Sequence, residues 1–498
     1  MKRILATLLV VAMVFSLAAC SSKKDDGNKA TSAPSNTTAP TKEEAAPTEE
    51  ATEAPTEEVT EAPTEEVTEA PTEEPTEAPT EEPTEAPVEQ PGNEEGLVDY
   101  TSEILANEIN LTLWDIAVEG DGNRPAYDAA MADLKAKYPN VTITETVTEN
   151  EAYKTKIKAA VGANELPDIF FTWAGAFLGD FVEAGKVHCL DANLQKYIDG
   201  GELPEAMLGN STYNGGHYGV PTTMNVVGLF ANMDILAGVG YDHIPATAEE
   251  LEDCCNKLVA NGIIPFGCSG KETWCVTEYL EPIIEKTIGA AALNDIMRNG
   301  ATWNNEGVST AVTILQGMIQ AGYFDPDGIA LGNEEVKANF MAGKYAFYQN
   351  GTWNCGDFSN AEKVSFNVAV GEFPVMNPAN SSLGQLIGGP SDTIAVSEGP
   401  NAEAAAEYAV EFGRLICHYG YLLGSGLPAW KVWGDTSAVL PLVAAVSEIC
   451  ANANGYVLFG DNAMPADEAN IYLEYVSQVY GMEVDGPTFI AGCAEEIR

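Results

Sequence analysis

The chain has 498 residues, 75 of them acidic and 24 basic, for a formal net charge of -51. That length predicts roughly two to three domains, and so acidic a surface repels phosphate backbones and anionic lipid heads, which argues against nucleic acid as a partner. An ordinary hydrophobic content of 45% argues against a collagen, a coiled coil or a polytopic membrane protein.

The N-terminus reads as an export signal. Met1-Lys2-Arg3 is basic, and Ile4 to Ala19 is an apolar run shorter than the about 20 residues a spanning helix needs. It ends at Leu17-Ala18-Ala19-Cys20, which resembles the bacterial lipobox. That resemblance implies cleavage after residues 1–19 and lipidation of Cys20, leaving a lipoprotein held on the outer face of the cytoplasmic membrane. Residues 20–106 then form a tether. From Thr48 to Pro87 the unit Glu-Ala-Pro-Thr-Glu-Glu-Val/Pro-Thr repeats, and no aromatic residue occurs from Ser21 to Asp99. Such a segment buries too little to fold, and its prolines and mutually repelling glutamates extend it. At about 3 Å per residue it reaches on the order of 100–200 Å.

The remainder starts as an α/β protein. Asn110–Asp115 reads as a strand with Leu111 and Leu113 on one face. Pro125 opens a helix carrying Tyr127, Ala130, Met131, Leu134 and Tyr138 at three-and-four spacing. Val141–Val147 alternates as a second strand, 151–163 is helical, and 168–172 is a short apolar strand. This alternation predicts a parallel sheet, whose ligands sit beyond the carboxyl ends of its strands. Those ends carry Trp114 and Asp115, the loop Glu119-Gly120-Asp121-Gly122-Asn123, and Trp173-Ala174-Gly175. Helical patterns follow at 248–261, 289–297, 307–320 and 333–341, with strand-like runs at 345–349, 366–370 and 393–396. Residues 402–417 read as a helix, 424–429 as a tight loop, and the last ~65 residues as mostly helical.

Catalytic motifs are scarce. His188, His217, His243 and His418 lie far apart without zinc spacing, and Gly-x-Ser-x-Gly and the P-loop do not occur. Gly424-x-Gly426-x-x-Ala429 follows a helix and contains Pro428, which argues against a dinucleotide site. Asp325-Pro326-Asp327-Gly328 reads as a turn. Cysteines other than Cys20 number nine at irregular spacings, as buried thiols would. No metal and no cofactor are expected. The many carboxylates leave an acid/base pair open.

An ordered series of segments resembles the bacterial extracellular solute-binding protein family 1, which serves ABC sugar importers. It comprises Leu111-Thr112-Leu113-Trp114, Leu166-Pro167-Asp168-Ile169 with Trp173, Leu178 to Asp191, Tyr218-Gly219-Val220-Pro221 to Phe230-Ala231-Asn232, Phe340-Met341-Ala342-Gly343-Lys344, Asn350-Gly351-Thr352-Trp353, Gly388-Gly389 and Gly426-Leu427-Pro428-Ala429. The resemblance implies a two-lobed, periplasmic-binding-protein-like (type II) α/β fold with the ligand between the lobes. It implies a first lobe of 107–226 and 372–424 and a second of 227–371 and 425–498, hinged near Val226–Asn232 and Gly371–Pro374. It further implies a monomer that is not an enzyme, with a small carbohydrate ligand and ABC permease subunits as partners. Trp173 and Trp353 match ligand-stacking positions on opposite lobes, Asn225 a polar hinge-side position, and Glu119 and Asp121 the first polar loop. Trp274 and Trp430 are expected to line the cleft, and Trp303 and Trp433 are left as core or surface. Aromatic planes take the C–H face of a pyranose, and short carboxylates and amides take its hydroxyls. The competing readings are a glycoside hydrolase, a carbohydrate-binding adhesin and a binder of another solute.

Cys20→Ala is expected to leave the signal uncleaved or to release the protein into the medium. Membrane fractionation and gel mobility unchanged from wild type would refute lipidation.

Overall fold

The computed structural model describes residues 97–98 and 101–497. The signal segment, Cys20 and the repeat lie outside them. Leu105 is fully buried in a hydrophobic core, and the Ser102 hydroxyl donates to Glu407. The chain therefore joins the folded body a few residues before the expected tether end at 106.

Two sheets organise the body. The first runs in the order Val141–Val147, Ile109–Asp115, Ile169–Trp173, Asp392–Val396 and Val220–Pro221. Its first three strands are parallel, joined through helices Arg124–Lys137 and Asn150–Ala163, as the alternating pattern predicts. The strand Ile169–Trp173 is buried at every residue because both of its faces are covered, which is why it reads as an unbroken apolar run. Helix Ala402–Leu423 packs on helix Arg124–Lys137, its small residues Ala405, Ala406 and Ala409 fully buried. Within this core Arg414 donates to Glu202 at 3.0 Å and to Glu411 at 3.1 Å, and Tyr197 also donates to Glu411 at 3.0 Å. These buried charges are paired and hydrogen-bonded, as burial requires.

The second sheet has the order Gly455–Val457, Gln385–Gly389, Asn225–Asn232, Tyr345–Gly351 and Ile264–Gly267, with Val368–Gly371 also pairing onto Asn225–Asn232. Its central strand is buried at all eight positions. Two placements differ from the sequence reading. Gln385–Gly389 falls in the stretch assigned to the first lobe, yet pairs with Asn225–Val226 and with Gly455–Val457 in the second sheet. Gly371–Pro374 is no crossing, since Val368–Gly371 is paired within the second sheet and Phe373 is buried in its core. The physical signal is Gly388, at φ +133°, where a Cβ would stand 2.3 Å from the Asn225 carbonyl oxygen. Only glycine permits so close a pairing. The chain crosses between the sheets at 222–224 and again at 390–391, earlier and later respectively than expected, and returns to the second sheet before Gly455–Val457.

Gly175, just after the strand Ile169–Trp173, meets the short helix Gly460–Ala463, which follows the second-sheet strand Gly455–Val457. A Cβ at Gly175 would lie 2.3 Å from the Asn462 carbonyl oxygen, and φ is +78°. Gly175→Ala is therefore expected to separate these elements. Backbone hydrogen exchange over 459–464 should accelerate by about tenfold or more, while both cores keep wild-type protection. Unchanged exchange there would show the contact to be dispensable.

Candidate functional site

A cleft of about 960 Å³ opens between the two sheets. The loop leaving the first strand supplies Glu119 and Asp121, the end of Ile169–Trp173 supplies Trp173, and the first turns of helix Asn150–Ala163 supply Asn150, Glu151 and Lys154. These positions lie beyond the carboxyl ends of parallel strands, where an α/β sheet leaves backbone and side chains free for a ligand. The facing wall carries Trp274 and Glu278 from helix Trp274–Ile288, Trp353 and Asn354 after strand Tyr345–Gly351, and Phe459 and Asp461 near helix Gly460–Ala463.

The aromatic groups divide between the walls. Trp173 is 9% exposed and meets Phe171, Phe177 and Tyr153 edge-on, at centroid distances of 5.0, 5.2 and 6.2 Å. The Lys154 ammonium stands 5.3 Å from its ring centroid. Opposite, the Trp353 centroid lies 6.1 Å from Trp274 and 6.3 Å from Phe459. The edge-on packing around Trp173 and the tilted packing around Trp353 hold each ring in a fixed orientation.

The polar groups are mostly acidic. Eleven carboxylates and three lysines line the cleft, which disfavours a phosphorylated or carboxylated ligand. Two of the lysines are already engaged: Lys154 with Glu151 at 3.1 Å and Asp461 at 3.7 Å, and Lys337 with Glu334 at 2.7 Å and Asp357 at 3.4 Å. Asp121 accepts from the Asn123 N–H at 2.7 Å, and burial lifts its carboxyl above the ordinary range. Asp392, at the return crossing, is pushed up to about 6 by burial, against the opposing hydrogen bonds from Thr223 and Asn225. Among the described residues no cluster of three His, Cys, Asp or Glu is arranged to hold a metal ion.

Five of the seven residues expected at the site therefore line one cleft: Trp173, Trp353, Trp274, Glu119 and Asp121. Asn225 does not. It is 1% exposed and ties the crossing together, donating to Thr223 Oγ1 at 2.9 Å and Asp392 Oδ2 at 3.4 Å and accepting from Thr352 Oγ1 at 3.1 Å. Trp430 is likewise no cleft residue. At 3% exposure it packs edge-on to Tyr197 at 5.4 Å in the first core, and its indole N–H donates to the Pro221 carbonyl at 2.7 Å. A tryptophan whose N–H finds a backbone partner is a satisfied core residue. Sequence reasoning missed Lys154, Glu278, Asp392, Phe459 and Asp461. For Glu278 a signal existed: it follows Trp274 by four residues, which puts both on one helix face.

Residues 120–412 match the family model described as bacterial extracellular solute-binding protein. A structure from work on xylan utilization by the thermophilic bacterium Caldanaerobius polysaccharolyticus is 31% identical, covering 78% of this chain and 100% of that one, with a TM-score of 0.75. A chitin oligosaccharide binding protein is 21% identical, covering 78% and 97%, with a TM-score of 0.71, and is similar in fold. An uncharacterised ABC transporter extracellular-binding protein of Pyrococcus horikoshii is 23% identical over 51% of this chain. The match spans only 58% of that relative's length.

Asp392 generates a pH prediction. Its folded value, about 6, lies above the unfolded value near 4. The stability it contributes is thus fully present below pH ~4 and lost as pH rises through about 6. Ligand-free Asp392→Asn should melt higher than wild type at pH 7.5, by about 2 °C or more, and level with it at pH 4. A difference that does not change with pH would refute the assignment.

Proposed function

The chain belongs to the bacterial extracellular solute-binding proteins, and we propose that it captures a sugar or oligosaccharide between its lobes and delivers it to the permease of an ABC importer. The observation that carries this reading is the set of tryptophans on facing walls of one acidic cleft. Trp173 stands on one side, Trp274 and Trp353 on the other. A neutral, hydroxyl-rich ligand with apolar ring faces suits such walls. The carboxylates accept its hydroxyl hydrogens, and no anionic group has to enter a negative field. The relative from the xylan-utilization work, at 31% identity over its full length, supports a plant-polysaccharide fragment as the first ligand to try.

The protein acts by binding, without cleaving its ligand, and works as a monomer. Cys20 and the acidic repeat segment hold the binding body at the outer face of the membrane. The sequence of the signal and the repeat supports this anchoring. Within the described residues no helix is long and apolar enough to cross a membrane.

The test is calorimetry with xylotriose, chitotriose and maltotriose. Trp353→Ala is expected to lose about 30-fold or more in affinity with an unchanged circular dichroism spectrum, since truncating a desolvated aromatic anchor costs about 2–4 kcal/mol. Trp173→Ala should lose as much and also melt lower, because its ring supports Tyr153, Phe171 and Phe177. Wild-type affinity in both variants would remove these residues from the site. Failure of wild type to bind any of the three, or hydrolysis of the ligand during titration, would overturn the reading.

A further inference from the structure

Glu278 is 2% exposed, lines the cleft, and leaves both carboxyl oxygens without a hydrogen-bond partner. One helical turn before it, Trp274 lines the same cleft, and its indole Nε1 is also buried and unpartnered. A buried polar group with no partner costs folding free energy. Two of them four residues apart, on one face of helix Trp274–Ile288, form a matched pair of polar groups with nothing yet to bind. The other buried acids of this helix have partners: Glu281 accepts from the Gly460 N–H and from Tyr472, and Glu285 accepts from Ser381 through one oxygen and forms an ion pair with Lys286 at 3.2 Å through the other, which lacks a hydrogen bond. Those two serve the fold; Glu278 does not.

We propose that Glu278 and the Trp274 indole N–H form a polar subsite on the second-lobe wall, which takes a hydroxyl group of the bound sugar and sets which sugar is held. This rests on the carbohydrate reading above and deepens it. The indole N–H only donates, and the carboxyl can both donate and accept. Burial pushes Glu278 well above the ordinary carboxylate range, with Glu281 and Asp461 adding to the shift. A carboxyl that keeps its proton suits a hydroxyl, which also both donates and accepts. Apolar walls discriminate weakly between similar sugars. A site built to pair one hydroxyl rejects the sugar that lacks or inverts it, because its own groups are then stranded.

The experiment uses the full chain with Glu278→Gln and Glu278→Leu, titrated with xylotriose, chitotriose and maltotriose and melted without ligand. Glutamine copies the shape and the donor–acceptor character of a neutral acid, so its affinity should stay within about threefold of wild type. Leucine removes both, and should weaken the preferred trisaccharide by about tenfold or more. Without ligand the leucine variant should melt at or above wild type, since it replaces an unsatisfied buried group by an apolar one of similar size. Unchanged affinity in Glu278→Leu would overturn the subsite. So would a lower ligand-free melting temperature for that variant, which would make Glu278 a structural residue. Wild type that binds none of the three sugars would overturn the carbohydrate reading, and the subsite with it.

Discussion

A knot of four side chains at the sheet crossing, three of them buried and Asp392 half-buried at the cleft, governs how the two halves of this molecule meet. Thr223 and Asp392 sit where the chain leaves and re-enters the first sheet, and Asn225 and Thr352 begin and follow strands of the second. Asn225 joins them with both its amide donor and its carbonyl oxygen. A buried amide satisfies its groups in few arrangements, and each broken bond strands a polar atom. The knot thus fixes the register of the sheets beside the cleft floor. Met224 and Leu427 extend it with an isolated antiparallel bridge. These links lie at the crossing of the chain between the two sheets, so rotation of one lobe against the other is expected to pivot near them.

The cleft above the knot places carboxyl groups where water is scarce. Asp121, Glu278 and Asp392 all rise above the ordinary range, with burial as the first cause in each. Crowded acids in a poorly solvated space either pair with cations or hold their protons. Lys154 and Lys337 provide pairing at the two flanks. The interior acids are shifted toward the second course by burial, Asp392 holding its proton only below about pH 6. Composition shows only the charge, and the split between paired and protonated acids exists only in three dimensions.

The sequence carried the alternation that builds the first sheet, from Leu111 and Leu113 to the buried run Ile169–Trp173. It also carried the tryptophans that end strands or open helices, because a large aromatic at a sheet exit has few reasons to be there. Three things were hidden. Sheet membership of Gln385–Gly389 depends on a partner more than 160 residues away, Asn225–Val226, and no local propensity encodes it. Trp430 carries the same residue type as Trp353, and only the Pro221 carbonyl tells the core residue from the cleft residue. Phe459 and Asp461 come from the C-terminal stretch that reads as helical, and the strand Gly455–Val457 with the short helix Gly460–Ala463 delivers them to the cleft. Local pattern therefore gives elements and exits, while tertiary pairing decides which exits share a space.

Contacts across the cleft mouth bear on how the site opens. Lys154 bridges to Asp461 at 3.7 Å with both side chains partly exposed, and Arg298 donates to Asn210 at 3.3 Å. Partly exposed polar contacts of this kind contribute roughly 0–1 kcal/mol each. Gly175 against Asn462 adds close packing over a small area. On the subsite reading, the unpartnered groups of Trp274 and Glu278 count against a closed, empty cleft, because nothing in it pairs them. Closure without ligand is thus weakly supported by the rim and opposed by the wall. A ligand that pairs those groups reverses the second term, and binds the closed state in preference to the open one. Differential affinity is the only way a ligand shifts such an equilibrium. The orphaned groups that lower the stability of the empty closed form couple closure to occupancy.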